Sequence, residues 1–406
     1  MTSKKLDELC DFISGLWTGK KPPYVNVGVI RNTNFHKSGN LDFSDIAQLE
    51  VETKQFSTRQ LRAGDIVLEK SGGGPKQPVG RVCVFEKNEG LFSLSNFTSA
   101  IRVKNTKELD YKYLHYYLKH LYVTGETEKI QTHSTGIRNL QLSLYKEFSV
   151  PLPSLATQKK IVAKLDAIFA EIDKASAAAE RNAKNSEALF QSYLTEVFER
   201  GGDDWTKVKL KDVVRELITG PFGSSLHKSD YIEAGIPVIN PQNLINGKIV
   251  PLAKTMVSEA TKEKLKKFSL KTKDIVIARR GEMGRCGLVD SESAGWLCGT
   301  GSMVIRLNEK ANEHFIFQLL QSDRIKKELE SASIGATMNN LNQSILLDVQ
   351  FSLPPIEFQM KTLEAIKDFS SKSSYLSNSY LSKIGGYSVL KQSILKQAFN
   401  GELVKD

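Results

Sequence analysis

Apolar and small residues recur at alternating intervals of four and three along two long stretches of the chain. The first series runs Ile161, Leu165, Ile168, Ile172, Ala175, Ala179, Asn182, Ser186, Leu189, Tyr193. A looser one runs Ile366, Phe369, Ser373, Leu376, Tyr380, Tyr387, Leu390, Ile394. Such spacing holds one seam of a helix apolar and predicts two long helices that pair. Pro151-Leu-Pro153 stops the extended segment before the first helix, and Ser154 or Thr157 can cap that helix. About 45 residues at 1.5 Å each make a rod of roughly 65–70 Å. Gly385-Gly386 interrupts the second series, at about 1 kcal/mol per glycine, and predicts a kink there. Two such rods in one chain pair most simply with each other, antiparallel.

The rest of the chain changes period. Tyr24-Val-Asn-Val-Gly-Val-Ile30, Asp65-Ile-Val-Leu68 and Asp274-Ile-Val-Ile-Ala278 are β-branched runs between Gly, Asn and Pro, and read as strands. Two amphipathic helices come after them, at Tyr111–Leu118 and His314–Leu320. This part is α+β, and it is written twice. Thr135-Gly-Ile-Arg138-Asn139-Leu140 aligns with Ala336-Thr-Met-Asn339-Asn340-Leu341 at a shift of 201 residues. The same shift carries Leu152-Pro153 onto Leu353-Pro354, Gln158 onto Gln359 and Phe198 onto Phe399. Upstream the offset drifts: Leu61-Arg-Ala-Gly-Asp65-Ile-Val matches Leu270-Lys-Thr-Lys-Asp274-Ile-Val, and Gly80-Arg81 matches Gly284-Arg285. A period this long marks a duplicated domain rather than a solenoid. The expected organisation is a domain over 1–150, a helical spacer over 151–200, a second domain over 201–352 and a second spacer over 353–406. The expected fold is α+β: two tandem domains separated and followed by long helices that pair as an antiparallel coiled coil, with a pseudo-twofold internal repeat.

Composition narrows the function. The 406 residues carry 56 Lys and Arg against 46 Asp and Glu, a formal charge of +10, which makes nucleic acid one candidate partner. The four cysteines show no CxxC spacing, so no disulfide scaffold and no ordinary zinc site is expected. No apolar run is long enough to span a membrane, and the N-terminus reads as that of a cytoplasmic protein.

A search for catalytic chemistry yields little. Ser71-Gly-Gly-Gly-Pro75-Lys76 has the wrong spacing for a phosphate loop. Lys20-Lys21-Pro22-Pro23-Tyr24 is the nearest string to the Asn/Asp-Pro-Pro-Tyr/Phe tetrapeptide of amino-methyltransferases, and Lys21 cannot accept the required hydrogen bond. Glu108, Asp110 and Lys112 could be drawn as a nuclease triplet, but such a triplet arises by chance in a chain with 25% charged residues. His115 and His120 read as packing residues. The chain is expected to catalyse nothing by itself and to hold no metal.

The loops between paired strands are richer. Arg279, Arg280 and Arg285 sit on the glycine-punctuated turn after Asp274–Ala278, and Lys70, Lys76, Gln77 and Arg81 occupy the same place in the first copy. Arg forks onto the guanine edge, Lys pairs with phosphates, and Asn or Gln reads adenine. Arg138, Asn139, Asn339 and Asn340 stand in corresponding loops further on. Together with Ser224 and Ser225 these are the candidate DNA-binding residues. The expected helix-pairing seam is Ile161, Leu165, Ile168, Ile172, Leu189, Ile366, Phe369, Leu376, Leu390 and Ile394.

The whole chain resembles the specificity subunits of type I restriction–modification systems. Four strings carry the resemblance: Ile218-Thr-Gly-Pro-Phe-Gly-Ser-Ser225 with Gly235-Ile-Pro-Val-Ile239; the Asp-Ile-Val…Gly-Arg hairpins; the Asn-Leu segment ahead of Leu-Pro; and Leu-Pro-x-x-x-x-Gln at the start of each long helix. The first copy departs most, with Ser14-Gly-Leu-Trp17 in place of the Gly-Pro-Phe-Gly-Ser run. The resemblance implies a non-catalytic subunit whose two target-recognition domains each read one half of an asymmetric, bipartite site on double-stranded DNA, with the helices as a ruler. It implies two modification (methyltransferase) subunits as partners, and two restriction subunits, ATP-dependent translocase/nucleases, in complexes that also cleave. S-adenosylmethionine, ATP and Mg would belong to those partners, with no cofactor in this chain. The reading left open beside it is a coiled-coil assembly scaffold without sequence-specific DNA readout.

Overall fold

Successive residues of two short strands are buried on opposite faces, and this alternation places the layers of each head. In the computed structural model, which describes residues 2–16, 19–36, 39–74, 77–134, 136–222, 225–281, 284–333 and 341–404, the chain divides into two units. One comprises Met1–Ala179 with Ser382–Asp406, the other Glu180–Leu381, so both boundaries fall inside long helices.

In the first unit the strand Ile66–Glu69 lies inside an antiparallel sheet ordered Cys10–Ser14, Thr98–Val103, Ile66–Glu69, Val82–Val84. Ile66 and Leu68 face a core built with Leu114, Leu118 and Leu165 from helices. Val67 faces the other way, into a core with Ile30, Phe35, Phe85 and Leu94. A strand covered on both faces needs the unbroken apolar run that the sequence shows. Beside it lies a sheet ordered Ala47–Glu52, Tyr24–Ile30, Phe92–Leu94, whose last pair is parallel. The second unit repeats the plan. Its sheet is ordered Val214–Thr219, Ser302–Leu307, Ile275–Ala278, Cys286–Leu288. Ile275 and Ile277 face the helical core, and Val276 and Ala278 face the opposite one.

The repeated string before each central strand closes a tight turn. Asp65 accepts from the Arg62 backbone N–H at 2.8 Å, and Asp274 from that of Lys271 at 2.8 Å. Gly64 and Lys273 fill the positive-φ position ahead of the aspartate, at 92° and 75°. Each buried carboxylate is then neutralised from the neighbouring strand. Arg102 Nε and Nη2 reach Asp65 at 2.7 Å each, and Arg306 Nε reaches Asp274 at 3.0 Å. A buried carboxylate without such a partner costs several kcal/mol, so these pairs lock two strands of each sheet together.

Helix Leu155–Arg200 is joined to the first head by one buried glutamine. Gln158 Oε1 accepts from the Asp110 backbone N–H at 2.9 Å, while Nε2 donates to the carbonyls of Glu108 (2.9 Å) and Pro153 (3.0 Å). Asp110 is itself the cap of helix Tyr111–Val123, accepting from the backbone N–H groups of Lys112 and Tyr113. The second unit copies every bond. Gln359 Oε1 accepts from Asn312 N–H at 2.6 Å, Nε2 donates to Lys310 and Pro354 carbonyls at 2.8 and 3.0 Å, and Asn312 caps helix Glu313–Gln321.

Within each unit, segments of the two long helices pack antiparallel. In the first, Lys164 Nζ donates to the Leu403 carbonyl and Lys391 pairs with Asp173, while Leu395 and Ala398 join the core of Ile161, Leu165, Phe169 and Ile172. In the second, Ser373 Oγ donates to the Ser186 carbonyl at 2.6 Å, and Tyr193 stacks on Phe369 with ring centroids 4.4 Å apart. Ile366 is buried there, and Ile168 and Ile394 are partly buried in the first unit. Three expected seam residues are not in the packing: Leu189, Leu376 and Leu390 are 57%, 45% and 45% exposed. The buried positions Ile161, Leu165, Phe169, Ile172, Ala179, Ala183, Ser186, Leu194 and Phe198 follow a straight helix rather than a heptad. A straight helix drifts ~20° per heptad, so Leu189, four heptads after Ile161, has rotated roughly 80° out of the contact, and Phe190 packs instead. Counting ~100° per residue from Ile366 puts Leu376 roughly 80° and Leu390 roughly 120° away. Helix Ile356–Phe399 continues through Gly385-Gly386 without a break in its hydrogen-bonded turns, contrary to the interruption expected.

His115 is half-buried against the Val82 carbonyl, and loss of solvent drives it down to about 3, so it stays neutral. Among the described residues no helix is long and apolar enough to cross a membrane.

Gln158→Ala should strip partners from one N–H and two carbonyls at a buried helix start. At about 1–3 kcal/mol per orphaned group, partly relieved by water, the expected loss is about 2–4 kcal/mol in the unfolding of the first unit. Urea titration of the full chain, with the exposed-site control Lys160→Ala, measures it. A loss under about 0.5 kcal/mol would show that the clamp is not what holds the helix to the head.

Candidate nucleic-acid interface

Each central strand ends on a cation held in the same way. Lys70 follows Ile66–Glu69, and Arg279 follows Ile275–Ala278. The Lys70 N–H donates to the Phe97 carbonyl at 3.0 Å, and the Leu140 N–H donates to the Lys70 carbonyl at 2.8 Å. In the second unit the Arg279 N–H donates to Gly301 and the Leu341 N–H to Arg279, at 2.9 Å each. Three segments distant in sequence thus meet, in each unit, at one positively charged residue. Burial pushes the Lys70 ammonium below the ordinary lysine value. Burial, reinforced by the neighbouring Arg280, does the same to Arg279. Arg279 Nε is shielded from solvent and has no hydrogen-bond partner among the described residues. A cation half-stripped of water and short of acceptors gains most from an anion or a carbonyl-rich edge arriving from outside.

Glycine brings a further strand end against each of these loops. A Cβ on Gly15 would lie 2.0 Å from the Ser95 carbonyl oxygen, and one on Gly220 would lie 1.9 Å from that of Gly299. Gly15 therefore fills in the first unit the place that Gly220 fills in the second, although the Pro-Phe-Gly-Ser continuation is missing. Past these glycines and loops two aromatic rings stand in solvent, Phe97 at 49% and Phe222 at 66% exposure.

The expected site residues are distributed unevenly over this surface. In the first unit, strand Ile137–Leu140 pairs with Ser71–Gly73, which brings Arg138 and Asn139 beside Lys70. Arg138 reaches Glu128 at 3.4 Å. The Asn139 side-chain oxygen accepts from the Ser71 hydroxyl, so Asn139 does not offer the open donor–acceptor pair that adenine reading needs. Arg81 is likewise committed: its Nε and Nη2 reach the buried Glu69 carboxylate at 2.7 and 2.9 Å, and its guanidinium lies 5.2 Å over the Phe35 ring. That fork is occupied within the head by Glu69. Gln77 lies against it. In the second unit Arg280 and Arg285 flank the turn at Gly281, and Ala278 stands where Glu69 stands in the first. Ser225 closes a turn onto the Phe222 carbonyl at 2.8 Å. Lys76, Ser224, Asn339 and Asn340 lie outside the described residues.

Sequence reasoning missed several neighbours. Asn32 Nδ2 donates to the Ser71 carbonyl at 2.5 Å, and Gln343 Nε2 donates to Thr219 Oγ1 at 3.0 Å. A repeat was there to be found: Val29-Ile-Arg-Asn-Thr-Asn34 matches Val238-Ile-Asn-Pro-Gln-Asn243. In both, the buried last Asn closes a short 3-10 turn, accepting from the N–H of Arg31 or Asn240. Phe97 carried no signal, because nothing in its sequence context distinguishes an exposed Phe from a core one, and Phe222 stood only as one residue of the Ile218–Ser225 string.

Residues 1–179 and 202–384 each match the family model described as type I restriction modification DNA specificity domain. The chain belongs to this family. Type I specificity proteins among its relatives include the MjaVIII specificity subunit of Methanocaldococcus jannaschii, 28% identical over 304 residues, 71% of this chain and 69% of that one. The StySPI specificity subunit of Salmonella potsdam is 24% identical over 393 residues, 92% of this chain and 82% of that one. Among solved structures, the HsdS subunit of Thermoanaerobacter tengcongensis shares the fold at a TM-score of 0.57 and 18% identity, covering 99% of this chain and 97% of its own. A chain from a structure describing assembly and conformational transition of a type I system shares it at 0.72 and 19% identity, with 99% and 98% covered. Two specificity domains in tandem account for the internal repeat.

If the paired cations face DNA, Lys70→Ala and Arg279→Ala should each weaken binding of the full chain to duplex DNA and lower the slope of log affinity against log salt by about 1. Fluorescence titration from 50 to 200 mM salt measures both. An unchanged slope in both variants would remove these residues from the interface.

Proposed function

We propose that this chain is the non-catalytic, DNA-reading subunit of a type I restriction–modification complex, and that each unit reads one half of an asymmetric, bipartite double-stranded site. The observation that carries the reading is the duplicated strand-end cation, Lys70 and Arg279, held by equivalent backbone bonds within different polar surroundings. Equal scaffolds with unequal side chains suit two half-sites of unlike sequence. The length of the two long helices would set the gap between those half-sites, since a helix of 46 residues spans about two turns of B-DNA. Two modification subunits would supply S-adenosylmethionine and adenine-N6 methylation, and two restriction subunits would add ATP- and Mg-dependent translocation and cleavage in a complex that also restricts. Exposed apolar side chains on helix Ile356–Phe399, among them Phe358 and Met360 near its start, are suited to contact protein partners. The chain would act in the cytoplasm of a prokaryotic cell.

Genome-wide mapping of N6-methyladenine in the source strain and in a strain lacking this chain tests the reading. The expected outcome is loss of one methylated motif with two unlike halves and an unspecified gap. Unchanged methylation, with the partner subunits expressed, would turn the argument towards an assembly scaffold.

A further inference from the structure

Each head exposes a phenyl ring beside its strand-end cation, and the two rings come from different segments. Phe97 sits on a turn tethered along its length. The Ser95 N–H donates to the Ile30 carbonyl at 3.0 Å and the Thr98 N–H to that of Ser95 at 3.1 Å. The Phe97 carbonyl accepts from the N–H groups of Lys70 and Ser71, at 3.0 and 3.2 Å. Thr98, fully buried, adds a bond from its hydroxyl to Ile30. The second unit builds the same turn: the Gly299 N–H donates to Ile239 at 2.9 Å, the Ser302 N–H to Gly299 at 3.1 Å, and Gly301 accepts from Arg279. Gly301 stands where Phe97 stands, and a Cβ on it would lie 2.7 Å from Pro241 Cδ, which leaves no room for a ring. The ring comes instead from Phe222, two residues past Gly220 and so within about 7 Å of chain from that glycine's contact with Gly299. The Phe222 carbonyl accepts from Ser225 at 2.8 Å. Trp17, the counterpart of Phe222 in the first unit, lies outside the described residues.

A single exposed Phe is ordinary on a protein surface. Two rings, each on a tethered backbone and each next to the equivalent cation, are a repeated feature of the heads. The polar side chains around the two cations differ, as the reading of unlike half-sites requires, while the phenyl is common to both. A feature common to both heads fits a task that does not depend on sequence. Methylating adenine at N6 requires taking the base out of the stack, which costs unstacking energy and leaves a gap between base pairs. A flat apolar ring fills such a gap and stacks on the neighbouring base whatever that base is. Resting on the DNA-reading function argued above, we propose that Phe97 and Phe222 are DNA wedges, one for each half-site, which fill the stack as the target adenine is drawn out towards a modification subunit. The adjacent Lys70 or Arg279 then holds the backbone of the opened step through a phosphate.

The test uses the full chain purified with its modification subunits, on duplexes carrying the methylated motif mapped as above. In the probe duplexes 2-aminopurine, which fluoresces when it leaves the stack, replaces the target adenine of one half. The wild-type complex should raise the fluorescence in either half. Phe97→Ala should lower that rise, and the methylation rate of the unmodified motif, about tenfold or more in one half only, and Phe222→Ala in the other half only. Both variants should keep the wild-type motif. Pairing the target adenine with a mismatched base, which makes it cheaper to extrude, should restore the methylation rate, and Phe97→Trp should retain it. A change in the base preferred at one position would make the ring a sequence reader and overturn the inference. So would an unchanged rate, or an equal loss in both halves that a mismatch does not rescue. Each of these leaves the DNA-reading conclusion standing, whereas a wild-type complex that methylates no motif overturns both.

Discussion

A buried carboxamide that satisfies three backbone groups at once ties each recognition head to its long helix. Gln158 and Gln359 are both fully buried, and each joins the first turn of a long helix to the chain entering a second helix of the head. The chain entering each helix has backbone groups outside the helix's own bonds, and here three of them, one N–H and two carbonyls from two segments, converge on one side chain. The geometry is unforgiving, because an amide has one acceptor and one donor end and each must face its complement. Helix and head are thereby fixed in angle as well as in contact. Any role in which the helix carries the head to a defined place rests on that rigidity.

From the clamp the constraint passes inward through the sheet. Helix Tyr111–Val123, capped by the residue that Gln158 holds, packs on one face of the strand Ile66–Glu69. The opposite face is closed by a second core, and the Asp65–Arg102 pair fixes the strand lengthwise. A strand with both faces covered and its entry pinned has no freedom left at its exit. That exit is Lys70, and in the second unit, through Asp274 and Arg306, it is Arg279. Precision at the surface follows from the buried architecture, while the loops around it are free to differ.

The duplication was legible because it is covalent: Leu-Pro-x-x-x-x-Gln and Leu-x-x-x-Asp-Ile-Val recur whatever the chain does in space. The strands were legible because burial on both faces demands apolar residues at every position. The helix seam was legible only near its start. A heptad ruler and a straight helix agree at Ile161 and Leu165 and part company by Leu189, and no pattern of residue types reveals supercoiling that is not there. The nominated side chains show the deeper limit. Lys70 and Arg279 stood out as basic residues on glycine-rich turns and do occupy equivalent surface positions. Arg81 stood out on the same grounds, yet it closes onto Glu69, the residue directly after the apolar run Asp65–Leu68. A charge is visible in a sequence, but its partner across a hairpin is not.

That pairing also shows how a duplicated domain acquires two meanings. The first unit keeps an arginine after its turn and answers it with a buried glutamate. The second keeps the arginine and has alanine in the glutamate's place. One substitution on the inward face of a strand therefore changes which polar atoms are spent inside the head, without touching the clamp, the aspartate turn or the strand order. The scaffold that makes the two heads alike is what allows so small a difference to be displayed at a fixed point.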